Sequence, residues 1–208
     1  MGKNILKYSV LIILLTFISL GFTSTREVKV NDKFKVNGPL LTTVPTADEP
    51  LSRTTPPFLG KSFVGFKEAL GFKESRGNYF VTNHLGYIGK YQFGASTLKL
   101  IGVHNASDFL SDPELQERAF IANTARNKWV LRRDIVRCVG KNIGGVYVTE
   151  SGILAAAHLA GPGNVKAYLR SGGARGFKDA NGASIRYYMR KFSGYDTSYI
   201  LPDRRAKI

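Results

Sequence analysis

Phe63-Val64-Gly65-Phe66-Lys67-Glu68-Ala69-Leu70-Gly71-Phe72-Lys73-Glu74-Ser75-Arg76-Gly77-Asn78 is the stretch that decides how this chain is read. Phe63, Phe66 and Leu70 share one face at helical spacing, which predicts a helix ending near Glu74. Beyond it the periodicity stops. Residues 76–94 are rich in glycine, asparagine and aromatics, and Gly86-Tyr87-Ile88-Gly89-Lys90-Tyr91-Gln92-Phe93-Gly94 reads as irregular or hairpin structure. Much later comes Ala157-His158-Leu159-Ala160-Gly161-Pro162-Gly163. An acid at a helix end, a glycine/aromatic/glutamine turn and a Gly-Pro-Gly turn are the three features on which the reading of function turns.

The surrounding chain is mostly helical in pattern. Ser96 to Ile101 is a short helix closed by Gly102. Asp112-Pro113-Glu114 is a helix start, with a capping acid, proline in the first turn and an acid near the positive end of the dipole. Leu115, Ala119, Ala122 and Ala125 then carry an amphipathic helix toward Val139. Thr149-Glu150-Ser151 opens another over Ile153 to Leu159, stopped by Gly161-Pro162-Gly163, with a brief helix from Asn164 to Leu169. Asp179-Ala180-Asn181-Gly182 is a turn, and Ser184 to Phe192 a last helix. The fold class expected is mainly α over residues 60–200, with a short irregular or hairpin segment.

Residues 1–24 read as a signal peptide: Lys3 and Lys7 precede an apolar run from Val10 to Leu20, and small residues follow. The run is short for a bilayer span, so cleavage is expected in place of anchoring. No cysteine follows it, which argues against a lipoprotein anchor. Residues 25–59 form an extension. Val28, Val30, Phe34 and Val36 suggest a short strand pair, and five prolines between Pro39 and Pro57 suggest a linker.

The chain carries a net charge of +15. Loss of Lys3 and Lys7 with the signal leaves a strongly basic protein suited to a polyanion. Export makes an anionic cell-envelope polymer the expected partner, in a bacterial periplasm or envelope. No basic helix or aromatic/basic motif marks a nucleic-acid binder, so nucleic acid is not expected as a partner. The lone Cys138 has no internal disulfide mate and reads as a buried structural thiol. The histidines His84, His104 and His158 are scattered without ligand spacing, so neither a metal nor another cofactor is expected. Gly144-Gly145 lacks the following Lys-Ser/Thr of a phosphate loop. The linker and the 201–208 tail, with Arg204-Arg205-Ala206-Lys207, are candidate docking segments for an envelope protein, a solvated tail being the plainer expectation.

Cleaving a glycosidic bond requires an acid to protonate the leaving oxygen. A glutamic acid serves near neutral pH when an apolar setting disfavours its charge. Glu74 follows Phe72 and lies close in sequence to Tyr79 and Phe80, which predicts such a setting. Asp108, Asp112 and Glu150 have the look of turn, cap and first-turn acids, so no second carboxylate is marked as a catalytic partner.

With these residues in place, the chain resembles lysozyme-like lytic transglycosylases of the soluble-transglycosylase type, which cut peptidoglycan glycan strands. Their Glu-Ser followed by Gly-x-x-Gly-x-x-Gln is matched by Glu74-Ser75, Gly86, Gly89 and Gln92. Their Ala-Tyr-Asn-Ala-Gly-x-Gly is approximated by residues 157–163. The resemblance covers residues 60–170 and implies a lysozyme-like domain. It implies that Glu74 protonates the oxygen between N-acetylmuramic acid and N-acetylglucosamine, then acts as base on the sugar's 6-hydroxyl to give a 1,6-anhydro end. It further implies that Ser75 orients the carboxylate or a substrate amide, that Gln92 hydrogen-bonds sugar, and that Tyr87 and Tyr91 stack on sugar faces. The Gly161 turn would border the substrate. The chain departs from the pattern at His158 and Leu159, where the family has Tyr and Asn, and at Lys90-Tyr91, where it has Leu-Met. His158 is expected in the cleft, within reach of Glu74. A hydrolysing muramidase and a non-catalytic envelope-binding or assembly protein are the alternatives.

Overall fold

A computed structural model describes residues 59–208 together with Thr16. The expected signal peptide, Thr16 apart, the strand pair and nearly all of the expected linker lie outside the described residues. Within them the protein is mainly helical. Helix α1 spans Phe63–Ser75, α2 Ala95–Leu100, α3 Ala106–Ser111, α4 Pro113–Cys138, α5 Glu150–Arg170 and α6 Ile185–Lys191. A two-stranded antiparallel hairpin, β1 (Asn142–Ile143) and β2 (Val146–Tyr147), pairs Asn142 with Tyr147 and Ile143 with Val146.

The helix starts follow from capping chemistry. The hydroxyl of Ser62 accepts a hydrogen bond from the Gly65 amide, Asp112 accepts from Leu115, Thr149 from Gly152 and Ser184 from Tyr187. Each bond satisfies one of the amide donors a helix start leaves open, worth ~1 kcal/mol. α1 ends where Arg76 turns left-handed at φ 59°, which leaves Glu74 in the last turn of the helix.

α4 packs against α5, and α5 against α6. The core between them and α1 is aromatic. Tyr91 stacks on Phe120 at 4.3 Å, Phe66 lies 6.1 Å from Phe120, and Phe192 meets Phe66 edge-on at 6.4 Å. Burying a Phe or Leu of this kind contributes about 1.5–3 kcal/mol, so Phe66 and Leu70, both fully buried, fix α1 against the rest. Cys138 is buried within the same core, as expected of a structural thiol.

Several features differ from the sequence expectation. α5 is two helical segments in one span: Gly161 takes the non-helical φ 76°, ψ 152° at the expected stop, and the second segment begins at Pro162, earlier than the expected Asn164. α3 and the β1–β2 hairpin, with Gly144-Gly145 as its turn, were not expected. The 201–208 tail is tied to the body: the Asp203 amide donates to the Ala125 carbonyl at 3.1 Å, the Ile208 amide to Ile101 at 3.0 Å, and Arg126 to the Arg204 carbonyl at 2.6 Å. The tail is exposed at nearly every residue, as a solvated tail would be, but these three bonds hold it to α4 and just beyond α2.

Candidate active site

Three cavities of about 330, 260 and 650 Å³ lie along one surface, and Gln92 borders all of them. Glu74 borders the first two, together with Asn83, Asp179 and Asn181. Tyr87, His158, Leu159 and Phe177 border the second and third. The shared walls make one continuous groove. Glu74 sits near one end, and the Gly161 kink and α4 line the other.

α1 delivers Glu74 to the groove wall half-buried, and α6 answers it. The Tyr188 hydroxyl donates to Glu74 Oε1 at 2.5 Å, within the range for a hydroxyl bonded to a carboxylate. Burial and then the Glu74 charge push the Tyr188 phenol up, so it remains a proton donor to the carboxylate. This fixes one oxygen and leaves Oε2 for other work. The expected aromatic enclosure is corrected: Phe72 and Phe80 are 67% and 65% exposed, and the Tyr79 hydroxyl points to Glu117 at 2.7 Å. Tyr188, not the aromatic neighbours in sequence, flanks the acid. Nothing local in the sequence linked residues 114 apart.

The turn from Gly86 to Gln92 supplies the opposite wall. Isolated bridges pair Thr82 with Ile88 and Ile88 with Phe93, a tight irregular hairpin as expected. Gly89 has φ 76°, and a Cβ there would lie 2.2 Å from Gln116 Oε1, so only glycine fits. Gln116, fully buried, is the peg on which the turn hangs: it accepts from the Lys90 amide at 2.8 Å and donates to the Tyr79 and Phe109 carbonyls. Gln92 takes φ 50° and its Nε2 donates to the Gly89 carbonyl at 2.9 Å, leaving the carboxamide oxygen without a partner among the described residues. Tyr87 is 44% exposed and borders two cavities, so its ring offers a stacking face.

Other expected site residues lie elsewhere. Tyr91 is fully buried against Phe120, with its hydroxyl 3.0 Å from both Glu117 oxygens, so it presents no face to a sugar. The Ser75 hydroxyl donates to the Lys90 carbonyl at 2.8 Å; it ties the end of α1 to the turn and borders none of the three cavities. His158 borders the groove but does not bond Glu74. Its Nε2 lies 2.8 Å from the Tyr91 carbonyl, a contact that makes Nε2 the donor, and its ring stands edge-on to Phe93 at 5.3 Å. Nδ1 is buried without a partner among the described residues. Gly161 borders the 650 Å³ cavity through its kink.

Beneath the turn lies an ionic network that sequence reading missed. Lys90, 2% exposed, donates from Nζ to Glu68 at 2.7 Å, Glu117 at 2.9 Å and the Tyr79 hydroxyl at 3.0 Å. Lys67 pairs with the second Glu117 oxygen. Burial opposes the charge on Lys90, but its three partners outweigh this and push its pKa up. Burial likewise opposes ionisation of Glu117, while Lys67, Lys90 and Tyr79 outweigh it and hold the carboxyl at about 2. Lys90 and Tyr91 thus place a paired charge and a bonded phenol beneath the turn.

Asp179 was read only as a turn residue. Its Oδ1 accepts from the Asn181 and Ala183 amides at 3.0 and 2.6 Å, yet it also borders both cavities that hold Glu74. Among the described residues no group of three or more His, Cys, Asp or Glu side chains is arranged to hold a metal ion. Comparison of the chain with protein-family models, curated proteins and solved structures found no match.

Proposed function

We propose that this protein is a peptidoglycan-cleaving lytic transglycosylase with a lysozyme-like domain, exported to a bacterial periplasm or cell envelope. The observation that carries the reading is the Glu74 carboxyl on the wall of a continuous groove, one oxygen held by Tyr188. Glu74 Oε2 protonates the glycosidic oxygen between N-acetylmuramic acid and N-acetylglucosamine. The resulting carboxylate, stabilised by the Tyr188 hydroxyl, accepts the proton of the 6-hydroxyl as that oxygen closes on the anomeric carbon. The nucleophile belongs to the substrate, so one carboxylate completes the cycle. Gln92 and Tyr87 contact the sugars. Basic charge draws the protein to the anionic wall.

A second reading is hydrolysis, and Asp179 favours it: two carboxylates on one cavity match the pairing that glycoside hydrolysis uses. Digestion of purified sacculi separates the two. Anhydro-muramic ends in the mass spectrum support transglycosylation, and reducing ends support hydrolysis with Asp179 activating water. Glu74→Gln abolishes clearing in either case. A folded Glu74→Gln protein that clears sacculi as fast as the wild type rejects both.

A further inference from the structure

Arg132-Arg133 and Arg204-Arg205 are far apart in the sequence, and the fold brings them together around one ring. Arg132 and Arg204 both place a guanidinium over Trp129, at 4.0 and 5.3 Å from the ring centroid. Arg132 Nη1 also donates to the Trp129 carbonyl at 2.8 Å. The tail that carries Arg204 is pinned to α4 by the Asp203 amide, which donates to the Ala125 carbonyl. Among the described residues, no carboxylate pairs with Arg132, Arg133, Arg204 or Arg205. Asp203, the acid of the tail, accepts from the Arg205 amide at 2.7 Å. Guanidiniums gathered without a counter-charge attract an anionic surface.

The same face is apolar as well as basic. Trp129, Arg132, Arg133 and Val136 recur at helical spacing, which places them on one side of α4. Val136 is 86% exposed, and Leu201, two residues before the anchor at Asp203, is 77% exposed. We propose that this side of α4, with the tail laid along it, docks the protein on an anionic lipid bilayer. A soluble polyanion rewards only the cations. A lipid surface rewards both: valine, leucine and indole enter at the headgroup level, while the long arginine side chains reach the phosphates. Asn127 and Val130, which border the groove, lie roughly a third of a turn away around α4, so docking leaves the groove open. Docking here is independent of what the groove cleaves.

Trp129 is the only tryptophan of the chain, so its fluorescence reports on this face and on no other segment. The full-length protein is titrated with vesicles of equal parts phosphatidylglycerol and phosphatidylcholine, the latter brominated on its acyl chains, and with vesicles of the brominated phosphatidylcholine alone. The anionic vesicles should shift Trp129 emission to the blue and quench it, salt should weaken this steeply, and the neutral vesicles should do neither. Arg132→Gln combined with Arg204→Gln should weaken anionic binding about 10- to 30-fold, at about fivefold per cation near the surface. Val136→Ser combined with Leu201→Ser should weaken it about three- to tenfold. No binding to the anionic vesicles, or equal quenching by the neutral ones, overturns the proposal. Vesicles that sediment with the protein while Trp129 is neither shifted nor quenched also overturn it, because another segment then does the binding. An arginine double variant that binds as tightly as the parent does the same. Unchanged affinity in the Val136 and Leu201 double variant makes the face a site for soluble polyanions only and overturns the bilayer. Should the arginine variant lose its fold by circular dichroism, the Val136 and Leu201 variant, altered only at exposed side chains, carries the test.

Discussion

Replacing Lys90 by Met removes the charge at the centre of the buried network while keeping an unbranched side chain of similar reach. The stem still packs on Gly71, where a Cβ would lie 2.8 Å from Lys90 Cε. Three Nζ hydrogen bonds are lost, to Glu68, Glu117 and Tyr79. The Glu68 carboxylate is 40% exposed, so that pair contributes no more than ~1 kcal/mol. The Glu117 side chain is 22% exposed, and a bond to a charged group in such a place is worth ~1.5–3 kcal/mol. Lys67, Tyr79 and Tyr91 continue to satisfy Glu117, which keeps the loss toward the low end. The expected destabilisation is about 2–3 kcal/mol, a fall in melting temperature of roughly 4–12 °C for a domain of this size. Glu117→Gln alone should cost about 3 kcal/mol, because Lys90 then keeps Glu68 as its only carboxylate. The double variant should fall short of the sum by about 1–2 kcal/mol. Urea unfolding followed by circular dichroism, with the m-value checked for constancy, reads all three. Additivity within about 0.5 kcal/mol, or a Lys90→Met protein as stable as the wild type, refutes the network.

The same carboxylate sets an acid limit. Glu117 is held at about 2 against an ordinary 4.5, so its stabilising contribution is complete above about 4.5 and decays as pH falls toward 2. Unfolding curves between pH 7 and 2 should show that loss in the wild type and a flatter profile in Glu117→Gln. Tyr188→Phe removes the hydroxyl that holds Glu74 Oε1, and sacculus digestion should slow by about 10- to 100-fold with the fold retained, the value of a hydrogen bond to a charged group; an unchanged rate excludes Tyr188 from positioning the acid. Gly89→Ala forces a Cβ onto the Gln116 amide at φ 76° and should cost about 2–4 kcal/mol by chemical denaturation, whereas Gly161→Ala meets no neighbouring atom and should cost about 1–3 kcal/mol from backbone strain at φ 76°, ψ 152° alone.

Helix starts were legible because capping is local. Asp112-Pro113-Glu114, Thr149 and Ser184 each act within three residues of themselves, and the structure uses all of them as read. The α1 face and the irregular glycine turn were legible for the same reason. Local signals failed where a side chain's role is set by a distant partner. Tyr91 looked like a sugar-stacking ring in a glycine turn, but Phe120 and Glu117 draw it inward. Nothing local marked Lys90 for burial, since lysines are rarely fully buried unless paired, and its pairing acids sit on α1 and α4. Tyr188 and Gln116 carried no motif at all, and Asp179 only that of a turn. Glu68 and Glu117 each adjoin a basic residue, Lys67 and Arg118, so nothing local marked them as the partners of Lys90.

The bond between Tyr188 and Glu74 closes a loop of more than a hundred residues. Loops of that size are entropically late to shut, and contacts of high sequence separation slow folding. α1 can coil early on its own capping bond, yet the acid it carries has no partner until α6 docks. A chain fragment ending before Ser184 would therefore hold the acidic helix without the phenol that sets it, and limited proteolysis in the 176–183 loop should loosen the same tie.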